Sequence, residues 1–370
     1  MRTIIRCRVA VSSCSFCVPV GRRSRQRPTF HLRCHLQKFI RKHKHRTDLP
    51  KLMIPQAFIV TPETAGAVLG ALRKLAVDLT WSAARKHLTG RRITVNGILC
   101  VDEGRRVAAG DAIEVRTQPL PPPPRDDDVQ ILHLDSQVVV VNKPAGMLSL
   151  RHPGDVKWRQ ERRDLQPSLE ECLARLITRR ENRRDSSTVE LLAVHRIDRE
   201  TSGALAFART ETAQIHLIEQ FATHTSFRRY LCLVPGQPEA QTISTTFVRD
   251  RGDGVRGSSS DGIHGKRAVT HIKRLRMIGD YAELECQLET GRTNQIRIHL
   301  AELGHPICGD VKYRGRFQEP PIIDNSRAPR LALHAADLGF VHPTTGQALM
   351  FSVPLPGDLQ RFIARLEKIQ

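Results

Sequence analysis

Apolar and polar positions along this chain recur with two different periods, and the places where the period changes divide it. In residues 61–116, Thr61-Pro62 offers an N-cap followed by proline in a first helical turn, and Val68, Leu72, Leu75 and Leu79 then recur at helical spacing. Ser82 offers a cap for a second, short helix carrying Arg85 and Lys86. Arg91-Arg92 follow Gly90, and Ile93-Thr94-Val95 runs into Asn96-Gly97, a tight-hairpin dipeptide; Gly110-Asp111 turns into Ile113-Glu114-Val115. These signals predict a small α/β module.

Six residues then change the rule. Pro119-Leu120-Pro121-Pro122-Pro123-Pro124 cannot enter a helix and favours an extended spacer, which sets a linker over 117–128. From 129 to 370 strand-like and helix-like stretches interleave. Val138–Val141 is a short β-branched run, and Leu191–Val194 and Ala204–Phe207 read as buried strands on either side of a polar loop. Thr212–Phe221 places Ile215, Ile218 and Phe221 at helical intervals; Tyr230–Val234 and Ala282–Leu288 read as strands, the latter with Leu284, Cys286 and Leu288 on one face. Ile296, Leu300 and Leu303 form a helical stripe closed by Gly304. The larger part is expected to be α+β with a large mixed sheet.

Charge adds a partner. The chain carries a formal net charge of +20, which favours a polyanion, either nucleic acid or an anionic membrane surface. Residues 1–50 hold thirteen Lys/Arg against the single acid Asp48, so +12 of the total sits there. Residues 1–52 are expected to be a disordered basic arm, a cleaved targeting peptide, or sequence ahead of a true start at Met53. Cys14, Cys17, His31 and Cys34 have zinc-like spacing within that arm, which alone is weak support for a metal. Nine cysteines, an odd number scattered along the chain, fit a reducing compartment, so the expected location is cytoplasmic. No apolar run approaches the ~18 residues of a membrane span.

The chemistry concentrates in His195-Arg196-Ile197-Asp198-Arg199-Glu200-Thr201-Ser202-Gly203, a polar loop between two apolar strands. Asp198, flanked by two arginines, is a candidate ionised carboxylate able to serve as nucleophile or base; a salt-bridged structural loop is the competing reading. This loop closely resembles the signature of RluA-type pseudouridine synthases. The resemblance implies that Asp198 is catalytic and that Arg196 enters the RNA stack as the target base leaves. Phe227-Arg228-Arg229-Tyr230-Leu231 resembles the motif whose tyrosine, here Tyr230, stacks on that base. Gly291–His299 resembles the third motif, whose arginine, here Arg297, pairs with the aspartate. Val141–Gly146, 304–313, Lys266, Ala268, Thr270, 331–335 and His342-Pro343 also fit, so the resemblance spans about 130–357. It implies a mixed, largely antiparallel sheet. The segment RKHLTGRRITVNG…VAAGDAIEV is similar to the S4 RNA-binding domain. Arg85, Lys86, Arg91 and Arg92 there, with Lys143 and Arg292 in the larger part, are the expected RNA contacts.

Two departures stand out: Asn294 where many family members have histidine, and Ala204 and Ala206 where leucines are usual. The polar stretch Arg151–Ser187 reads as either a target-specific RNA contact or a solvated insertion, the second favoured. Uridine isomerisation has no net redox change and transfers no group, so neither a nucleotide cofactor nor a metal is expected. RNA is the expected partner, ribosomal before transfer RNA, with no membrane and a monomeric chain; a non-catalytic RNA-binding protein of the same fold is the rival. The GxGxxG match at 252–257 runs into Ser258-Ser259-Ser260 rather than a helix, so a dinucleotide site is excluded. No glycine-rich strand or DFG triplet accompanies the loop, against a kinase; a glycosidase would need a second paired carboxylate, and Glu200 is too close in sequence to be assigned that role.

Overall fold

A computed structural model describes residues 56–186, 189–251, 255–259, 262–314 and 324–368; the basic arm with its cysteines, and Gly252 and Gly254, lie outside these residues. The β-branched run extends to Val138–Lys143 and pairs on both sides, and Val138 to Val141 are fully buried. Because side chains alternate across a strand, the run supplies two cores at once. Val139 and Val141 face the larger core with Leu205 and Phe207, while Val138 and Val140 face a smaller one with Ala204, Ala206, Leu338 and Phe340. Ala204 and Ala206 lie under the helix Glu211–Ala222, which packs there through Ala213 and Leu217.

Among the described residues the main sheet has eleven strands. Its path runs from Gly257–Ser258 through Gln241–Val248, Lys266–Ile278, Tyr281–Leu288, Phe227–Pro235, Leu333–Val341, Ser202–Ala208 and Val138–Lys143 to Gln130–Leu134. Every pairing is antiparallel except that of Ser202–Ala208 with Leu333–Val341. The fold is α+β, with the sheet largely antiparallel. At the parallel pair the backbones approach closely. Gly203 has φ +115°, and a Cβ there would lie 2.1 Å from the carbonyl oxygen of Ala335, so only glycine fits. Gly203→Ala is expected to cost roughly 2–4 kcal/mol from left-handed strain plus overpacking. The check is a drop in the urea midpoint at unchanged m-value; an unchanged midpoint would show that the strands can separate there freely.

Residues 56–115 form a four-stranded antiparallel sheet ordered Gln56–Ile59, Ala112–Val115, Ile93–Val95, Ile98–Leu99, with two helices. The predicted hairpin is present: Asn96 and Gly97 both have positive φ (52° and 73°), as its two-residue turn requires. The first helix differs from expectation. Thr61 closes a turn with Thr64 and Ala65, Gly66-Ala67 pairs with Arg106-Val107, and the helix starts only at Val68 and ends at Leu75, leaving Leu79 outside it. The second, Trp81–Thr89, is capped by Thr80 rather than Ser82, with Ala83 N–H donating to its hydroxyl.

The helix expected over Thr212–Phe221 is present as Glu211–Ala222; it turns Ala213 and Leu217 inward and leaves Ile215 and Ile218 exposed (67% and 44%). Two further expectations are corrected. Leu191–Val194 is not a buried strand: only Leu192–Ala193 pairs, half-buried at the sheet margin. The stretch after Arg151 is no solvated insertion. Its helix Leu169–Arg180 buries Leu169, Cys172, Leu173 and Ile177 in the larger core. Arg151 itself is buried against the Glu171 carboxylate, 2.8 Å from each oxygen.

Candidate active site

The loop His195–Thr201 leaves the sheet edge and re-enters it at Ser202–Ala208, and its backbone is held at several points. Ser149 Oγ donates to Ile197 O at 2.7 Å and accepts from Ile197 N–H at 3.2 Å. Lys143 Nζ donates to the carbonyls of Pro144, Met147 and Arg199 at 2.9, 2.8 and 3.1 Å. Lys143 is therefore not an RNA contact: it is completely buried, and it ties the Pro144–Met147 turn to the loop. Burial pulls its ammonium down to about 7, opposed chiefly by the Glu200 carboxylate. His195 Nε2 accepts the Ala206 N–H at 3.0 Å, and its ring stacks on Phe221 at 4.5 Å.

These anchors turn Asp198 into a pocket of about 390 Å³ shared with Arg196, Tyr230, Arg228, Arg292 and Arg297. The Asp198 side chain is 22% exposed and accepts from Arg297 Nη1 at 2.9 Å. The rest of the Arg297 guanidinium forks onto Asp310, with Nε to Oδ2 at 2.7 Å and Nη2 to Oδ1 at 2.9 Å. The Asp310 side chain has no exposure and also accepts the Lys312 and Tyr313 amides. Burial alone would depress Arg297, but the Asp310 and then the Asp198 contacts hold it above its ordinary value, so it stays cationic. The helix that carries it, Gln295–Glu302, begins at Asn294 in a left-handed conformation (φ 59°) that asparagine tolerates. The Asn294 amide donates to the Tyr313 hydroxyl at 2.9 Å and its carbonyl accepts from Arg297 at 3.2 Å, a positional use for this departure from the family pattern.

Tyr230 lines the pocket, 7% exposed, and burial raises its phenol, which keeps it neutral. Arg196 stands exposed at the rim without an ion-pair partner among the described residues. Arg292 lines the same wall and donates to Arg267 O at 2.8 Å. The small module's cations lie elsewhere. Arg85 and Lys86 are exposed, Arg85 in a surface pair with Glu103. Arg91 donates to Pro121 O and Leu165 O at 2.9 and 2.6 Å, and Arg92 to Thr117 O, so both fasten the linker to the module.

Sequence reasoning missed Asp310, Ser149 and Asn294's contacts. For Asp310 one cue existed: an acid directly after the apolar Pro306-Ile307-Cys308 and a glycine. Another cluster, His133, Asp135 and His342, brings three ligand-type atoms within 4.8 Å. His342 Nδ1 accepts the Thr344 and Thr345 amides, so its Nε2 carries the proton and faces Asp135 at 3.0 Å as a donor. That tautomer suits a hydrogen-bonded clasp, not a metal ligand.

Two histidines, His299 fully buried and His195 half-buried, make the scaffold acid-sensitive. Burial, with Arg228 adding to it, pushes His195 from 6.5 down to about 3, and burial pushes His299, held between Thr245 and Thr270, down to about 4. Below 6.5 the unfolded chain takes up protons that the folded state refuses, so stability falls as pH drops, until about 4 for His299 and about 3 for His195. The slope is of order 1 kcal/mol per pH unit per histidine. Urea titrations from pH 7 to 4 check it; His299→Gln should flatten the dependence, and an equally steep curve in that variant removes His299 from the account.

A carboxylate held by a twice-paired arginine, opposite a buried tyrosine ring, now sits where three separate sequence motifs converge. The profile of the family described as RNA pseudouridylate synthase matches residues 137–302, which contain Asp198, Tyr230 and Arg297. The chain belongs to this family. The ribosomal large subunit pseudouridine synthase D of Zymomonas mobilis is 34% identical over 274 residues, covering 71% of this chain and 82% of the relative. The uncharacterized RNA pseudouridine synthase YlyB of Bacillus subtilis is 35% identical over 303 residues, 79% of this chain and 91% of its own. Human RNA pseudouridylate synthase domain containing 4 shares the fold, with TM-score 0.51 and 23% identity over 64% of this chain and 92% of that one. Among the described residues no helix is long and apolar enough to cross a membrane. The enzyme is an RNA pseudouridine synthase.

Proposed function

We propose that this enzyme isomerises specific uridines of large-subunit ribosomal RNA, with Asp198 as its catalytic carboxylate. The observation that carries the site assignment is Asp198 facing the pocket in contact with Arg297, while Tyr230 lines the same cavity. The reaction breaks the bond from uracil N1 to ribose C1′, turns the base and joins C5 to C1′; the proton leaves C5 and N1 gains one. Attack of the carboxylate at C1′ and removal of a ribose proton are both routes that need Asp198 ionised. Base extrusion costs a few kcal/mol, partly offset by stacking on the Tyr230 ring while Arg196 fills the gap in the RNA stack.

The ribosomal substrate is supported by relatives named for the large subunit, among them those of Zymomonas mobilis, Xanthomonas campestris and Xylella fastidiosa. We read residues 61–116 as an S4-like module that adds grip on folded RNA through Arg85 and Lys86, joined by the 117–128 linker to a catalytic domain over 129–370. Such grip should weaken steeply with salt. We read the enzyme as cytoplasmic, where such a substrate would be met.

The test is pseudouridine mapping on total RNA from cells with and without the gene. One or a few uridines of large-subunit ribosomal RNA should lose modification and regain it on complementation. Loss confined to transfer RNA would overturn the substrate; no loss anywhere would overturn the activity.

A further inference from the structure

Among the described residues two arginines are buried, Arg151 and Arg228, and their surroundings differ. Arg151 has its carboxylate, Glu171. Arg228 has none. It is 5% exposed, its Nη2 donates to the Glu289 carbonyl at 2.5 Å, its guanidinium lies over the Phe221 ring at 5.3 Å, and its Nε is buried without a partner. A buried cation without an anion costs several kcal/mol, so a counter-charge is expected from whatever fills the space it faces. That space is the Asp198 pocket, which Arg228 lines. The lining there includes four arginines, 196, 228, 292 and 297, and one acid, Asp198, which Arg297 already contacts. Uracil is neutral and calls for no such excess; a phosphodiester does. Arg228 also lies two residues before Tyr230 on the same strand, on the same face and about 7 Å along it. Beside its Nη1 the chain has Gly291, where a Cβ would approach to 2.7 Å.

We propose that Arg228 binds a backbone phosphate adjoining the extruded uridine, and that this contact fixes the nucleotide's depth in the pocket. The inference rests on the activity proposed above. Nη1 donates to the phosphate oxygen, while the stack on Phe221 and the bond to Glu289 O hold the guanidinium in place.

The probe is a synthetic hairpin carrying the uridine identified by mapping, with an uncharged methylphosphonate replacing the phosphate on its 5′ or its 3′ side. Turnover efficiency is measured for the wild-type enzyme, Arg228→Gln and Arg228→Lys. One of the two neutral linkages should lower wild-type kcat/KM about tenfold or more, the range of a charge-assisted hydrogen bond, and should have no further effect in Arg228→Gln. Arg228→Lys should keep part of the phosphate dependence. If neither linkage affects the wild type, or if the losses from linkage and variant multiply, the proposal is overturned while conversion of the all-phosphate hairpin leaves the activity standing. If mapping finds no uridine whose modification depends on the gene, the functional proposal falls and this one with it. The neutral linkage acts on unaltered protein, so misfolding of a variant cannot hide the result.

Discussion

Asp198→Asn should abolish turnover, by roughly 10⁴-fold or more in single-turnover release of the C5 proton from a uridine-containing RNA, while RNA affinity changes by no more than a few-fold. The substitution is isosteric. The amide oxygen it introduces still accepts from Arg297, and the loop anchors at Ser149, Lys143 and His195 do not involve the Asp198 side chain. What disappears is a negative charge able to attack or accept a proton at the ribose. Binding draws on phosphate contacts and stacking made by other residues, so it should persist. Complementation with this variant should leave the mapped sites unmodified. Activity within tenfold of wild type would sink the assignment of Asp198 and send the search to another group of the same pocket.

The sequence makes some of this legible and hides the rest for identifiable reasons. Asn96-Gly97 and the Val138–Val141 run announce a turn and a doubly buried strand because each depends on local stereochemistry. The helical period at Ile215 and Ile218 is present but points the wrong way, since the inward face is chosen by the small Ala204 and Ala206 surface it must fit. The polar look of Arg151–Ser187 conceals a core helix, because its apolar positions occupy one narrow stripe among many charges. Lys143 looks like an RNA contact because lysines are usually solvated. Only the fold reveals three carbonyls converging on its ammonium. Asp198, Tyr230 and Arg297 come from motifs far apart in the chain. Their meeting in one pocket is set by the strand order of the sheet, and so is the burial of Asp310, at which the apolar Pro306-Ile307-Cys308 before it only hints.

Arg297→Met should damage both stability and catalysis, and the two losses have different owners. Asp310 is wholly buried and takes two of the guanidinium's donors; Asp198 takes a third. Removing the cation leaves Asp310 with only the Lys312 and Tyr313 amides, a case in which breaking a buried pair costs about 3–5 kcal/mol. The same change releases Asp198 from its set orientation, which should lower kcat at least ~100-fold, a loss of the size seen when a preorganised electrostatic contact is deleted. Arg297→Lys should recover little of either, because one ammonium cannot span two carboxylates in the planar geometry of a guanidinium. Asp310→Asn separates the effects: it removes the buried charge, spares much of the stability, and still loosens the fork that aims Arg297 at Asp198. Denaturant midpoints and single-turnover rates on the three variants decide the matter. If Arg297→Met kept the wild-type midpoint, Asp310 would have to find another counter-charge. If it kept the wild-type rate, Asp198 would need no positioning, and the two-carboxylate clasp would serve the fold alone.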